Sequence, residues 1–394
     1  MINLLYTVDD NFVPQLAANI CSVVSNHSGI HDITFHVFSN GITNDNRQLL
    51  QDMANEYKQK LEFYDISNFR EVLGFDFDTS GWNEIVLARL LMAQFLPNEI
   101  EKVIYLDADT IALGDIALLW NQDLEGCVIG MVPEPTVGSA RLDDLDINGR
   151  LYHNAGVLLV DLKLWRSTCC QEEILGYCAR RSGRLFANDQ DALNAVLKDK
   201  ICSLSPAFNY SNIFDYYSFS FLNSLMPGFS DEKSFASARL KPVVVHFLGE
   251  ERPWRRGNTH RFNNEYHFYL SKTHWKDAED EEGWGAYFLA WRVFNSLTRP
   301  FPQLRYKIIS GLIPAFLNVS CLAKKQIGLC IKTKKSLFAL FCLHIMAAGI
   351  WPNSLIVSWS KRGLIAPSIF AMMVQRMTLL ELRSCTVGQT RIFI

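Results

Sequence analysis

Acidic residues all but vanish from the last quarter of this 394-residue chain: residues 299–394 hold 13 Lys and Arg against the single Glu381, a net charge of +12. The first 298 residues carry −15, so an acidic body is joined to a basic, apolar tail, an asymmetry that calls for a partner. CxxC pairs are missing too. The ten cysteines fall at no regular spacing, several inside apolar runs such as that around Cys342, which sets aside zinc-ribbon and dithiol redox chemistry and leaves reduced thiols as the expectation. Residues 337–351 form an uncharged stretch of 15, short of the roughly 20 that span a bilayer, and Pro352-Asn353 interrupts it. Continued to Trp359, the stretch leaves a hairpin-like insertion open. MINLLYTVDDNF at the start holds no basic leader and no cleavage site, so the expected location is the cytoplasm. Tandem repeats and low-complexity segments are absent. What is present is 49% hydrophobic, 20% charged and 12% aromatic, which excludes disorder and coiled coil and allows two or three domains with a large core.

Hydrophobic periodicity organises the first hundred residues. Residues 2–8 read as a strand that stops at Asp9-Asp10-Asn11, and residues 14–24 place Leu16, Ala17, Ile20, Val23 and Val24 at helical spacing. The alternation continues: strand 33–38, helix 47–59, strand 61–66, helix 85–95, and a fully apolar strand 102–106 suited to the middle of a parallel sheet. The expected class is therefore α/β with a doubly wound, Rossmann-like sheet, whose ligands bind at the C-terminal strand ends. The loops after residues 8 and 106 should share that crevice, and both are acidic.

Four segments carry chemistry. In VIYLDADT, Asp107 and Asp109 flank the small spacer Ala108 at the end of a buried strand, where two carboxylates pointing the same way can hold a hard divalent cation. The alternative is a strand-end turn with two solvated aspartates. Haloacid-dehalogenase-like phosphatases also use DxD after a strand, but they place Thr or Val where Ile111 stands and open their fold with the motif. In YHNAGVLLVDLKLWR, Asn154 offers a donor and an acceptor, small residues follow where close approach is needed, and His153 reads as a local structural histidine. In NDQDALN, Asp189 and Gln190 open an apolar helix, where Asp189 is either an N-cap or a site residue. In VVVHFLGEERPW, a strand ends on His246 before a Gly249 turn and the cation Arg252, a nitrogen ligand and a phosphate grip in sequence, although a strand-end His can also be structural.

Together with TVDDNFVPQLAANICSV and ARLLMAQFLP, these segments resemble glycosyltransferase family 8 over about residues 1–265, six motifs in the family's order. The resemblance implies a GT-A fold (the nucleotide-diphospho-sugar transferase fold), a UDP-hexose donor carrying glucose or galactose, and Mn2+ or Mg2+ held by Asp107, Asp109 and His246. It further implies that Thr7, Asp9 and Asn11 hold uracil and ribose, and that Gly249 and Arg252 grip the diphosphate. Arg89, Asn154, Asp189 and Gln190 would line the donor sugar, with Ala108 as the spacer beside it. Glu134 and Asp189 would face the acceptor, and Asp189, Gln190 and Arg252 are the residues nearest the chemistry. The family often has Lys where Arg252 stands, and Arg keeps the charge while adding a fork suited to phosphate.

Breaking a sugar–diphosphate bond needs the leaving UDP stabilised, and a divalent ion with a cationic side chain supplies that. Of the two routes to retention, same-face substitution is favoured over an enzyme nucleophile, because the Gln190 amide is weakly basic. The expected layout is a catalytic domain over 1–265, an acidic, aromatic connecting segment over 266–298 with a short helix ending near Arg299-Pro300, and a mainly helical tail over 299–394. In that tail Arg305, Lys307, Lys324, Lys325 and Lys332 interleave with apolar residues, which suits an interfacial helix on anionic lipid; an ordinary helical subdomain with a solvated basic face is the other reading. The sum of these expectations is a peripheral enzyme on the inner face of the cell membrane, acting on a lipid-linked or lipopolysaccharide acceptor and on no nucleic acid. The same chemistry on a soluble or protein acceptor, and a non-catalytic sugar-nucleotide-binding module, stand as alternatives.

Overall fold

Seven strands form the central sheet of the computed structural model, which describes residues 1–29, 33–77 and 84–311. In chain order the strands are β1 (Ile2–Asp9), β2 (Ile33–Asn40), β3 (Lys60–Asp65), β4 (Lys102–Leu106), β5 (Thr110–Ala112), β6 (Ile129–Pro133), β7 (His153–Asp161), β8 (Ile201–Ser203) and β9 (Val244–His246). The sheet runs β3-β2-β1-β4-β7-β6-β8, and β5 pairs with β9 in a separate two-stranded ribbon. β2 and β7 are buried at every position but their last, as strands covered on both faces are, and they bury polar residues such as His36 and Asn154 along with the apolar ones.

Parallel pairing holds from β3 through β4, as the alternation of strands and helices predicts, but the sheet is not parallel throughout. β7 runs antiparallel to both β4 and β6. The reversal has a consequence for the site. Leu106, the last residue of β4, pairs with Val157, so the start of β7 lies where β4 ends, and the Asp107 N–H donates to the Gly156 carbonyl at 2.8 Å. Pro133 likewise pairs with His153 and brings Glu134 to the same edge. The helix expected over 85–95 is a 3-10 turn, Glu84–Leu91, followed by one α-turn, Met92–Phe95.

Helix α1 (Val13–Asn26) starts with proline in its first turn, where a missing N–H costs nothing. Its buried Asn19 accepts from the Tyr6 hydroxyl (2.7 Å) and donates to the Thr110 carbonyl (2.8 Å), and Ser22 Oγ accepts from the Ala112 N–H (2.8 Å). Leaving such buried groups unpaired would cost about 1–3 kcal/mol each, so α1 pins β5 directly behind Asp109. Helix α2 (Asn44–Glu56), capped by Thr43, is tied to the β1 loop through Asp10, whose Oδ1 accepts from the Thr43 N–H (2.8 Å) and Asn46 Nδ2 (2.8 Å).

The chain divides into two compact units. The first holds Met1–Glu281 together with residues 301–311. Helix Asn263–Leu270 is part of it, with the Tyr269 hydroxyl accepting from Asn26 Nδ2 at 2.8 Å. Arg305 is 1% exposed, its guanidinium 4.2 Å from the centre of the Tyr216 ring. In the second unit the described part is Glu282–Pro300, with helix Gly285–Thr298 in the stretch where a short helix was expected. Tyr287, Trp291 and Phe294 recur at helical spacing and stack, with centroids 6.5 and 5.3 Å apart. Among the described residues no helix is long and apolar enough to cross a membrane. The 337–359 stretch and the basic faces beyond Lys307 lie outside the described residues.

Candidate active site

Asp107, Asp109 and His246 each offer a ligand atom, and those atoms lie within 4.8 Å of one another. Asp107 and Asp109 follow β4, and His246 comes from more than a hundred residues further on. The β5–β9 ribbon joins them, because Thr110 pairs with His246. His246 Nε2 stands 3.2 Å from Asp109 Oδ1 and 3.9 Å from Asp107 Oδ2, while Nδ1 is bonded to Asn209 Oδ1 at 2.9 Å. Two carboxylates and an imidazole whose other nitrogen is already engaged form a donor set that fits a hard divalent cation. Burial alone would raise the Asp109 carboxyl, but His246, Arg252 and Arg89 outweigh it and hold it down at about 2. Gly156 packs against the imidazole so closely that a Cβ there would come 2.1 Å from His246 Cε1, which explains a glycine in the HNAG segment.

A second group gathers around Arg89, 3% exposed. Its Nη2 lies 2.9 Å from Asp107 Oδ1, its Nη1 donates to the Ala155 carbonyl (2.6 Å), and its Nε donates to the Val86 carbonyl (2.9 Å). The same Nε is 3.1 Å from Asp189 Oδ2, an ion pair without a directed hydrogen bond. Burial pushes the Asp189 carboxyl up from its ordinary 3.8 to about 6, with Arg89 opposing the rise and Asp107 adding to it. Asp189 is not the helix cap: helix Asn188–Val196 has Ala187 at its N-cap with no side-chain bond, and Asp191 Oδ2 accepts the Ala187 N–H at 2.8 Å. Asp191 also binds Arg141, which leaves Asp189 facing Arg89.

Glu134 links the two groups. Its Oε2 accepts from Asn154 Nδ2 (2.9 Å) and Gln190 Nε2 (3.1 Å), and Gln190 Oε1 accepts the Ala155 N–H (2.9 Å). Arg252 Nη2 reaches Asp109 Oδ2 at 3.2 Å, and its Nε has no hydrogen-bond partner among the described residues. Gly249 turns the chain before it at φ +71°, a conformation that side chains disfavour. Thr7 bonds the Tyr105 hydroxyl (2.9 Å), which in turn donates to Asp107 Oδ1 (2.7 Å). Asp9 and Asn11 sit at the C-terminal end of β1, where Asp9 Oδ1 accepts the Asn11 N–H at 3.1 Å. Ala108, between the two carboxylates, is 8% exposed.

The structure thus gathers Arg89, Asp107, Asp109, Asn154, Asp189, Gln190, Glu134, His246 and Arg252 into one network, with Thr7 at its edge. Sequence reasoning missed Asn209, Tyr105 and Tyr152. Asn209 lies in an irregular stretch, FNYSN, with no periodicity to flag it, and Tyr105 reads as a hydrophobe of the apolar strand 102–106. Tyr152, whose hydroxyl accepts from Gln190 Nε2 (3.0 Å) and donates to Asp191 Oδ1 (2.8 Å), only opens the YHNAG segment. His153 is a buried structural residue, its Nε2 2.9 Å from Ser203 Oγ and its ring pushed down to about 4, chiefly by burial.

Comparison with known proteins adds a frame. A family model described as glycosyl transferase family 8 matches residues 3–258. General stress protein A of Bacillus subtilis is 25% identical over 70% of this chain and 95% of its own length. A lipopolysaccharide 1,2-glucosyltransferase of Escherichia coli is 24% identical, covering 70% of this chain and 79% of that protein. Among solved structures, the galactosyltransferase LgtC in complex with donor and acceptor sugar analogues superposes with a TM-score of 0.60 at 22% identity, over 69% of this chain and 96% of LgtC. That likeness identifies the fold as GT-A.

Proposed function

The chain belongs to glycosyl transferase family 8, and on that premise we propose that it moves a hexose, glucose or galactose, from a UDP-sugar to a lipid-linked glycan with retention of configuration. The observation that carries the reading is the convergence of Asp107, Asp109 and His246 within 4.8 Å beside Arg252. Similarity to lipopolysaccharide glucosyltransferases supports a glycan acceptor, and the +12 tail supports one held at a membrane. The enzyme would then sit on the inner membrane face, bound through the tail.

Asp107, Asp109 and His246 would hold Mn2+ or Mg2+, which when bound supplies Lewis-acid stabilisation of the negative charge that builds on the departing diphosphate. Arg252 contributes on the protein's side. Its Nε is a donor with no protein partner among the described residues, and a guanidinium preorganised this way stabilises a phosphate oxygen more as charge develops there. Arg89 pairs with both Asp107 and Asp189, and its single positive charge offsets part of the repulsion between the two carboxylates.

Retention through an enzyme nucleophile would need a free, basic oxygen. Gln190 lacks one, since its Oε1 accepts the Ala155 N–H and its Nε2 is shared between Glu134 and the Tyr152 hydroxyl. Asp189 is buried and paired with Arg89. Both facts favour same-face substitution, in which the acceptor oxygen attacks the side that the diphosphate leaves and a leaving phosphate oxygen takes the hydroxyl proton. Gln190 and Glu134 then orient sugar hydroxyls rather than react.

The test is UDP release from UDP-glucose and UDP-galactose by purified full-length protein, with and without Mn2+, and with lipid-linked or soluble acceptors. Metal-dependent release stimulated by the lipid-linked acceptor is the expected result. Equal stimulation by a soluble acceptor would move the substrate class, and metal-independent turnover would refute the ligand assignment.

A further inference from the structure

We propose that Asn209 is a positioning residue for His246, and that the backbone N–H of Gly156 dictates, through two side-chain amides, which ring nitrogen of His246 faces Asp107 and Asp109. Asn154 Oδ1 accepts two donors, the Gly156 N–H at 2.9 Å and Asn209 Nδ2 at 2.8 Å. A backbone N–H can only donate, so the oxygen of Asn154 must face it. Glu134 fixes the same amide from its other end, because Asn154 Nδ2 donates to Glu134 Oε2 at 2.9 Å and an ionised carboxylate can only accept. Asn209 must then turn its NH2 toward Asn154 and its oxygen toward His246.

That oxygen lies 2.9 Å from His246 Nδ1 and can only accept, so Nδ1 carries a proton. In the neutral ring Nε2 is bare, aimed at Asp109 Oδ1 (3.2 Å) and Asp107 Oδ2 (3.9 Å). This is the tautomer that can ligate a cation, whereas the opposite one would present an N–H. Asn209 and Gly156 are buried, and Asn209 is 3% exposed, so bulk water is kept from the junction. Reversing any one amide would set donor against donor or acceptor against acceptor along the whole row. Gly156 serves twice, since its missing Cβ also leaves room for the imidazole. The value of the tautomer rests on the metal-site reading above, but the assignment itself rests only on the hydrogen bonds.

The experiment uses full-length protein labelled with 15N-histidine, and Mn2+ titration in the absence of any sugar nucleotide. Wild type should show a His246 ring N–H at Nδ1, identified by its loss in His246→Gln. Asn209→Leu, of similar volume, should lose that proton and bind Mn2+ about 10–100-fold more weakly, the usual effect of removing a ligand's hydrogen-bond partner. Asn209→Asp should keep the proton and the metal affinity, because an acceptor still faces the ring. It should lower kcat at saturating Mn2+, because a second acceptor now opposes Asn154 Oδ1 and disturbs the row that reaches Glu134 and Gln190. A wild-type ring bare at Nδ1, or unchanged Mn2+ affinity in Asn209→Leu, overturns the proposal. If Asn209→Leu fails to fold, loss of the Nδ1 proton in Asn209→Asp overturns it instead. Wild type that holds the Nδ1 proton yet binds no Mn2+ would sink the metal-site reading and uphold the tautomer.

Discussion

Asp189→Asn makes a signed, measurable change in stability. Asp189 is 4% exposed, and burial raises its carboxyl from 3.8 to about 6 despite Arg89 at 3.1 Å. A group whose folded value is raised binds more protons in the native than in the unfolded state between those two values, so stability falls as pH rises through that window. The favourable contribution is complete below the unfolded value and lost above the folded one. A shift of this size corresponds to about 3 kcal/mol. Asparagine stays neutral at every pH and resembles the protonated acid in shape. The stability of Asp189→Asn relative to wild type should therefore grow by about 3 kcal/mol between the acid and alkaline sides of the window. The assay is urea unfolding of metal-free, full-length protein in detergent across that pH range, taking only the difference between the two proteins so that other titrating groups cancel. A difference that does not vary with pH would mean that Arg89 just cancels the effect of burial and leaves Asp189 at its ordinary value. A difference of opposite slope would refute the claim that desolvation outweighs the ion pair.

Other outcomes test the chemistry and the tail. Asp107→Asn and Asp109→Asn should each abolish transfer with far-ultraviolet circular dichroism unchanged, and near-normal turnover in Asp109→Asn would remove it from the metal set. Arg252→Ala should slow UDP release by about two to three orders of magnitude, as expected for losing one preorganised donor, while Arg252→Lys keeps the charge and much of the rate; equal rates in Ala and wild type would place Arg252 away from the diphosphate. Full-length protein should pellet with anionic vesicles and partly dissociate at high salt, since each basic residue near the surface contributes roughly 1 kcal/mol and salt screens that share alone. No binding at low salt would rule out the lipid-facing tail.

Local signals were enough for the first four strands, the first two helices and the order of the motifs, but not for residues 84–95, which form a 3-10 segment and a single α-turn. A buried parallel strand is an apolar run, and a helix is a periodic one, so β1 to β4, α1 and α2 could be read from the sequence to within a few residues. The DxD pair was legible as two carboxylates at the end of an apolar strand, but the strand stops at Leu106, so it is the turn into β5, not strand alternation, that brings Asp107 and Asp109 together. Asp189 shows the limit of such reasoning. Its place at a helix start suits a cap, but the cap bond belongs to Asp191, two residues on, and only the position of Arg89 a hundred residues earlier explains why Asp189 turns inward. The charge count separates a tail after Thr298, but it is blind to Arg305, which packs over Tyr216 inside the first unit.

What only the tertiary structure decided is how the pieces meet. The reversal of β7 carries Asn154 and Gly156 to the end of β4, and the β5–β9 ribbon carries His246 to Asp109. Asn209 then joins Asn154, 55 residues before it, to His246, 37 residues after it. Sequence patterns record which face of an element is apolar, because burial acts on each residue separately. A hydrogen bond between two side chains needs a particular pair at one distance and direction, and nothing in the neighbourhood of either residue along the chain encodes the other.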